Sequence, residues 1–93
     1  MTTKAPAQVE KFGEESSESI AYKIAGTART REPNDNNRLG YHIWRYLQGT
    51  IPSIDEAVRV SGLRLIEGET EEHVTEKVVE GLNERGLEVR RNK

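Results

Sequence analysis

The chain has 93 residues, which is enough for one small domain and too few for two domains with separate cores. Its 14 basic and 16 acidic residues give a net charge of −2, which argues against a polybasic surface for nucleic acid or membranes. Without cysteine it has no disulfide framework, no thiolate nucleophile and no cysteine-bound zinc. It shows neither an apolar signal stretch nor an apolar run of membrane-spanning length, so we expect a cytoplasmic protein.

Apolar residues are spread unevenly along the chain, and this predicts where the domain lies. Residues 1–18 are rich in glutamate and serine and have little to bury, so we expect a disordered tail there. Residues 19–93 are expected to form a single small domain whose core lies mainly in residues 38–93. Residues 32–37 contain proline, aspartate and asparagine, which predict a turn-forming loop between the tail side and the core.

Residues 19–31 fit two patterns of secondary structure. Their apolar residues alternate as in a strand, yet Ile20 and Ile24 also lie about one helical turn apart. We favour a helix, because several alanines extend the stripe that this pair begins and because Ser16 or Ser17 is suited to cap it.

The next helix is predicted by its apolar stripe. Leu39, Ile43 and Leu47 recur at every fourth position of residues 38–48, and Gly49 follows as a helix-ending residue. The stripe therefore predicts a helix with one buried face.

Two further helices are predicted by their capping residues. Ser53 and Glu56 form a capping box, and Gly62 is expected to end this short helix. Thr70 is expected to cap the last helix, which Gly86 ends. The predicted buried face of the last helix consists of Val74, Val78, Val79 and Leu82.

Two short segments predict a small β element. Residues 63–66 are a brief apolar run close to two glycines, which favours a short strand or a buried loop. Residues 87–90 alternate, with Leu87 and Val89 on the expected core side, and predict a strand. The sequence therefore predicts a mainly α fold with a small β element.

The order of these elements resembles that of a known family. Residues 38–93 contain a helix, an extended connector, a capped helix with its turn glycine, and a last helix followed by a possible turn at residues 84–87. This succession is similar to the winged helix-turn-helix domains of small transcription regulators. The resemblance implies a compact helical bundle in which the last helix is the recognition helix and residues 84–87 lead into the wing. The residues that carry it are Tyr46, Leu47, Glu56, Ala57, Gly62, Val74, Val78 and Leu82.

The chain departs from the family pattern at two places. Residues 63–69 lengthen the turn between the second and third helices of the motif, which is short in the family. Only residues 87–93 follow Gly86, which is enough for one strand, whereas a wing needs two strands and their turn. We therefore expect a truncated wing.

Binding to DNA would require cations close to the phosphates. The expected exposed face of the last helix is instead mostly acidic, and consists of Glu71, Glu72, Thr75, Glu76, Glu80 and Asn83. Arginines elsewhere could form a modest basic edge that contacts phosphates, namely Arg38, Arg45, Arg59, Arg64, Arg90 and Arg91. The other interpretation of these arginines is that they are solvated and pair locally with glutamates.

The sequence offers little support for catalysis. His42 and His73 are the only histidines, and no nucleophile motif or phosphate-binding glycine loop is present. Glu69 and His73 have a spacing that can place two metal ligands on one helix face, but a metal site needs at least a third ligand. A solvated helical histidine is the favoured interpretation. We expect no enzymatic activity, cofactor, metal or small-molecule substrate.

The aromatic residues of the helix predicted over residues 38–48 indicate protein binding. Tyr41 and Trp44 lie three positions apart beside Arg45, and these three residue types are enriched in interface hot spots. The alternative for Trp44, the only tryptophan, is a place in the core. The same flank would also suit a contact between two copies of the chain.

These observations favour a small non-catalytic protein-interaction module that binds and modulates a protein partner. Its expected binding residues are Tyr41, Trp44, Arg45, Glu72, Glu76 and Glu80. Small acidic proteins that phages and other mobile elements make to act on a host protein would have this kind of surface. The alternative hypothesis is a winged-helix-like DNA-binding transcriptional regulator that uses the arginine edge.

Overall fold

The computed structural model describes residues 11–12, 15–29 and 33–92. The described residues form four helices, α1 (Ser17–Ala28), α2 (Pro33–Leu47), α3 (Ile54–Val60) and α4 (Glu71–Glu84). Two strands of two residues each, β1 (Lys11–Phe12) and β2 (Glu15–Ser16), pair antiparallel, with Lys11 opposite Ser16 and Phe12 opposite Glu15. The mainly helical fold is confirmed. Residues 1–10 and 13–14 of the predicted tail lie outside the described residues, whereas residues 17–18 already belong to α1.

Helix α1 settles the choice between strand and helix in favour of the helix. The Ser16 hydroxyl caps it by accepting a hydrogen bond from the Ser19 backbone amide at 3.1 Å. Ile20 and Ile24 are buried on one face together with Ala21 and Ala25. Burial of this helical stripe removes apolar surface from water, which a strand of the same residues would achieve only for alternate side chains.

Helix α2 begins earlier than its apolar stripe predicts. It starts at Pro33, so the loop predicted over residues 32–37 is wrong from Pro33 onward. Proline is favoured in the first turn of a helix, because its missing amide hydrogen is not needed there. The predicted stripe is confirmed: Leu39, Ile43 and Leu47 are all buried.

Helices α1 and α2 approach closely at a glycine. Gly40 is buried in α2, and a Cβ atom at this position would lie within 3.0 Å of three ring carbons of Tyr22 on α1. A second glycine has a similar role between α1 and α4, where a Cβ atom on Gly81 would lie 3.1 Å from Ile24. Helix α1 therefore packs against both neighbours at positions that lack a side chain.

The predicted caps of α3 and α4 are confirmed. The Ser53 hydroxyl accepts a hydrogen bond from the Glu56 amide at 3.1 Å, and the Thr70 hydroxyl accepts one from the His73 amide at 3.0 Å. Gly86 follows α4 with a φ of 70°, a left-handed conformation that favours glycine. The cap residues thus set the boundaries of both helices.

The face assignment of α4 needs one correction. Val74, Val78 and Leu82 are buried as predicted, and Val79 is half-buried. The prediction that Thr75 is exposed is wrong, because Thr75 is buried and its hydroxyl donates a hydrogen bond to the Glu71 carbonyl at 2.8 Å. This bond back to the preceding turn satisfies the hydroxyl, so threonine tolerates the buried position.

The strand predicted over residues 87–90 does not form, and of the two alternatives for residues 63–66, a short strand or a buried loop, the strand does not form either. Residues 63–66 and 87–92 carry no regular secondary structure. Half-buried Leu63, Leu87 and Val89 still pack against the core, so the alternating pattern of residues 87–90 reflects docking of an extended segment. None of the helices described in residues 17–28 and 33–84 is long and apolar enough to cross a membrane.

Candidate functional site

The outer flank of α2 gathers several of the residues predicted to bind a partner. We call Tyr41, His42, Trp44 and Arg45 the aromatic flank. The Tyr41 ring meets the His42 and Trp44 rings edge to face, with centroids 5.2 and 6.1 Å apart. The Arg45 guanidinium carbon lies 5.9 Å from the Tyr41 ring centroid. Tyr41 is 42% exposed, which makes it one of the most exposed large apolar residues described. The flank is therefore a connected cluster open to solvent.

Trp44 is neither fully in the core nor fully on the surface, which are the two places that the sequence allows for it. It is half-buried and packs against the core. It also lines an open hollow of about 190 Å³ beside the start of α1, together with Ser16, Ser17, Glu18 and Gln48. Trp44 is thus anchored by the core and still reachable from solvent.

Arg45 is fixed near the end of α2 by a threonine. Its Nε donates a hydrogen bond to the Thr50 hydroxyl at 3.3 Å, and that hydroxyl donates to the Arg45 carbonyl at 2.9 Å. The guanidinium keeps donors that these contacts do not use. Arg45 can therefore offer directional hydrogen bonds beside an aromatic surface.

The three glutamates predicted to bind a partner lie on a different helix. Glu72, Glu76 and Glu80 are exposed on α4, one helical turn apart. Helix α1 lies against both α2 and α4, whereas the backbones of α2 and α4 do not approach each other as closely. The structure therefore separates the predicted site into an aromatic patch and an acidic patch.

Arg90, one of the predicted phosphate contacts, is used inside the fold. It belongs to residues 87–92, which we call the C-terminal strap. Its guanidinium donates to the carbonyls of Pro52 at 2.9 Å and of Tyr46 at 3.1 Å, and its Cζ lies 4.3 Å from the Tyr46 ring centroid. These contacts join the strap to the end of α2 and to the connector that follows it.

The Tyr46 hydroxyl completes the docking of the strap. It donates a hydrogen bond to the Glu88 carbonyl at 2.8 Å and accepts one from the Arg90 amide at 2.7 Å. Burial raises the pKa of Tyr46, so the hydroxyl keeps its proton and acts as this donor. The Arg90 carbonyl in turn accepts from the Ile54 amide at 2.8 Å, which satisfies an otherwise free donor at the start of α3.

Arg91 anchors the strap to α3 through a carboxylate. Its guanidinium forms two hydrogen bonds to Asp55, at 2.8 and 3.1 Å, and the Asn92 amide adds a third at 2.9 Å. The hydrogen bonds from Arg91 lower the pKa of Asp55 from 3.8 to about 2. A weaker contact at 3.4 Å links Arg91 to Glu72 on α4.

The remaining predicted phosphate contacts are spread over the chain. Arg38 lies on α2, Arg59 on α3 and Arg64 in the connector between α3 and α4, and all three are exposed. Arg59 forms an ion pair with Glu56, one turn away on its own helix. This pair agrees with the interpretation of solvated surface charges for Arg59.

Sequence reasoning missed the most buried ion pair that the structure describes. Arg29 follows α1, and its side chain is 1% exposed. It forms two hydrogen bonds to the Glu69 carboxylate, at 2.8 and 2.7 Å, and a third to the Arg64 carbonyl at 2.9 Å. The Glu69 carboxylate also accepts from the Ile66 amide at 3.0 Å. The pair holds the α3–α4 connector against the end of α1, and no local sequence signal links residues 40 positions apart.

Glu69 therefore serves this ion pair, and not the metal site considered for it and His73. No group of three or more potential metal ligands occurs among the residues that were placed.

Comparison with known proteins gives no relative. The sequence matches no protein-family model, and neither the curated proteins nor the solved structures show significant similarity to it. Any assignment of function therefore depends on the geometry described above.

Proposed function

We propose that this chain is a non-catalytic protein-interaction module that binds and modulates a protein partner. The observation that carries this proposal is the aromatic flank, where Tyr41, Trp44 and Arg45 lie side by side on one exposed face of α2. Tyrosine, tryptophan and arginine are the residue types that dominate the binding energy of protein interfaces.

The flank is also prepared for binding before a partner arrives. Trp44 packs against the core and also meets the Tyr41 ring edge to face. Thr50 fixes Arg45. A side chain that is already ordered loses less entropy when a partner covers it, so more of the contact energy appears as affinity.

The acidic patch on α4 would influence which partner approaches. Glu72, Glu76 and Glu80 place negative charge along one exposed helix face. Because these carboxylates lie on a different helix from the aromatic flank, they would act at long range or at the rim of a large interface, where they favour a basic partner surface and speed encounter.

The alternative proposal is a winged-helix-like DNA-binding regulator, and the succession of α2, α3 and α4 favours it. In that interpretation α4 would be the recognition helix and the C-terminal strap a truncated wing. Two observations oppose it: α4 presents the acidic patch, and Arg90 and Arg91 spend their donors within the fold. Hydrogen bonds already made inside the protein must be broken before the same groups bind phosphate.

The test compares partner capture by the native chain and by a Tyr41→Ala/Trp44→Ala variant, using lysate of the source organism. We expect the double variant to lose at least about tenfold of the captured partner, because each hot-spot residue contributes more than about 1 kcal/mol. Val60→Ala is the matched control, because Val60 is 43% exposed, close to the 42% of Tyr41, and lies on α3. Circular dichroism checks that every variant remains helical.

Titration with mixed-sequence duplex DNA separates the two proposals. Saturable binding that weakens steeply with salt and is lost when Arg90 and Arg91 are changed to glutamate would favour the regulator. Unchanged partner capture by the Tyr41→Ala/Trp44→Ala variant would remove the interaction proposal.

A further inference from the structure

The hollow beside Trp44 has the composition of a small binding site. It is lined by Trp44, Gln48 and the start of α1, and it is open to solvent. Glu18 lines it and is exposed at the surface. Aromatic, amide, hydroxyl and carboxylate groups thus meet in about 190 Å³.

Ser17 supplies an unused polar group to this hollow. It is only 2% exposed, and its hydroxyl makes no hydrogen bond to any residue that the structure describes. The neighbouring Ser16 hydroxyl is already engaged as the cap of α1. A buried hydroxyl without a partner costs free energy, so a ligand that hydrogen-bonds to it would be favoured.

The charge of the hollow favours a cation. The start of a helix carries about +0.5 elementary charge, and the Glu18 carboxylate lies in the first turn of α1. Glu18 is the only charged residue among the described residues that line the hollow. Burial raises the pKa of Tyr22, one helical turn further along α1, and the negative charge of Glu18 raises it further.

The Trp44 ring favours a cation as well. A tryptophan face attracts ammonium and guanidinium groups more strongly than other aromatic side chains do. Tyr41 braces this ring at a centroid distance of 6.1 Å, which limits the reorganisation needed for binding. Arg45, the cation nearest in sequence, is turned toward Thr50 and Tyr41 and is not part of the lining.

We propose that the hollow formed by Trp44, Gln48 and the first turn of α1 binds a lysine or arginine side chain of the partner protein. The cation lies against the Trp44 ring and pairs with Glu18, and Ser17 accepts one of its hydrogen bonds. This inference depends on the proposed function, because it names the chemistry that the partner presents to the aromatic flank.

The experiment uses small probes and needs no identified partner. Ethylguanidinium, butylammonium, butyrate and butanol are titrated into the full chain, and the Trp44 indole NH is followed by NMR. Because Trp44 is the only tryptophan, this signal is unambiguous. We expect saturable shifts with the two cations at millimolar concentration, and no saturable shift with butyrate or butanol.

Variants test whether the named groups form the site. Glu18→Gln should weaken binding of ethylguanidinium about fivefold, because it removes the charge and keeps the shape. Ser17→Ala should weaken it by a smaller factor. Glu80→Gln is the matched control, because it removes an exposed carboxylate on α4 that does not line the hollow.

Several outcomes would overturn the inference. A saturable shift with butyrate would identify an anion site at the start of α1. The absence of any saturable shift, or an unchanged affinity in Glu18→Gln, would show that the hollow does not select cations. A dimer of the native chain that ethylguanidinium dissociates would assign the occupant to a second copy. If the cations fail to bind while Tyr41→Ala/Trp44→Ala still abolishes partner capture, only this inference falls and the proposed function remains.

Discussion

Helix α2 carries two tyrosines that each pair with an arginine, and the two pairs have the same chemistry and opposite surroundings. Arg90 lies 4.3 Å from the centroid of Tyr46, a residue that is 1% exposed. Arg45 lies 5.9 Å from the centroid of Tyr41, which is 42% exposed. The first pair docks the C-terminal strap, and the second pair lies on the aromatic flank.

The difference lies in how the polar groups of each pair are satisfied. The Tyr46 hydroxyl both donates and accepts within the strap, and the Arg90 guanidinium binds carbonyls of the connector after α2. No comparable internal bonds are described for the Tyr41 hydroxyl. The residue types alone do not tell which pair the fold uses, whereas the contacts of their polar atoms do.

The largest effect on stability is expected at the most buried of the arginine ion pairs described. Glu69→Ala leaves the Arg29 guanidinium buried without its carboxylate, and breaking a buried pair in this way costs about 3 kcal/mol or more. Urea denaturation of the variant measures the change. The double variant Arg29→Met/Glu69→Leu should recover a large part of the loss, since it leaves no buried charge. If Glu69→Ala were as stable as the native chain, the Arg29 guanidinium would not be buried in the way that the structure shows.

A direct comparison of the two pairs should give the next largest effect. Arg90→Ala removes charged hydrogen bonds to backbone carbonyls and should cost about 2 kcal/mol. Arg45→Ala removes a half-buried cation whose side chain bonds only to the exposed Thr50 in the described structure, and should change stability by less than about 0.5 kcal/mol. Thermal and urea unfolding of both variants provide the measurement. Equal losses would mean that the two pairs do not differ in structural role.

The strap should also show a dependence on pH through Asp55. Its pKa is lowered from 3.8 to about 2 in the folded protein, so the ionised carboxylate stabilises the fold above pH 3.8. That contribution is lost as the pH falls from 3.8 toward 2. Asp55→Asn should cost about 1 kcal/mol at pH 7, and the difference from the native chain should vanish near pH 2. A difference that stays constant over this range would exclude the ionised pair as its source.

The sequence predicts the fold best where the structure depends on residues that are close together in the sequence. The caps at Ser53 and Thr70 and the stripe of α2 are confirmed, because capping and helical periodicity act over one or two turns. The early start of α2 at Pro33 is not predicted, because the residues next to Pro33 also favour turns.

The features that the sequence does not predict depend on distant partners. Arg29 and Glu69 are 40 positions apart, and Tyr46 meets the strap 42 to 44 positions further along the chain. The alternating residues of the strap predict a strand. In the structure, side chains of α2 and α3 form hydrogen bonds with the strap backbone in place of a second strand. Of the candidate site, the aromatic flank was predicted from spacing alone, whereas the hollow beside Trp44 needs the packing of α1 on α2.

The smallest effect on stability is expected from Tyr41 itself. Tyr41→Ala removes an exposed ring whose described ring contacts are all to the aromatic flank itself, so the free energy of unfolding should change by less than about 0.5 kcal/mol. Trp44 fluorescence should shift to longer wavelength, because loss of the Tyr41 ring opens one side of the indole to water. Urea unfolding followed by circular dichroism tests the first expectation, and the emission spectrum tests the second. Tyr46→Ala, the matched change in the buried pair, should cost about 3 kcal/mol or more. If Tyr41→Ala destabilised the chain as much as Tyr46→Ala, the flank would belong to the core and its exposed rings would no longer support a binding role.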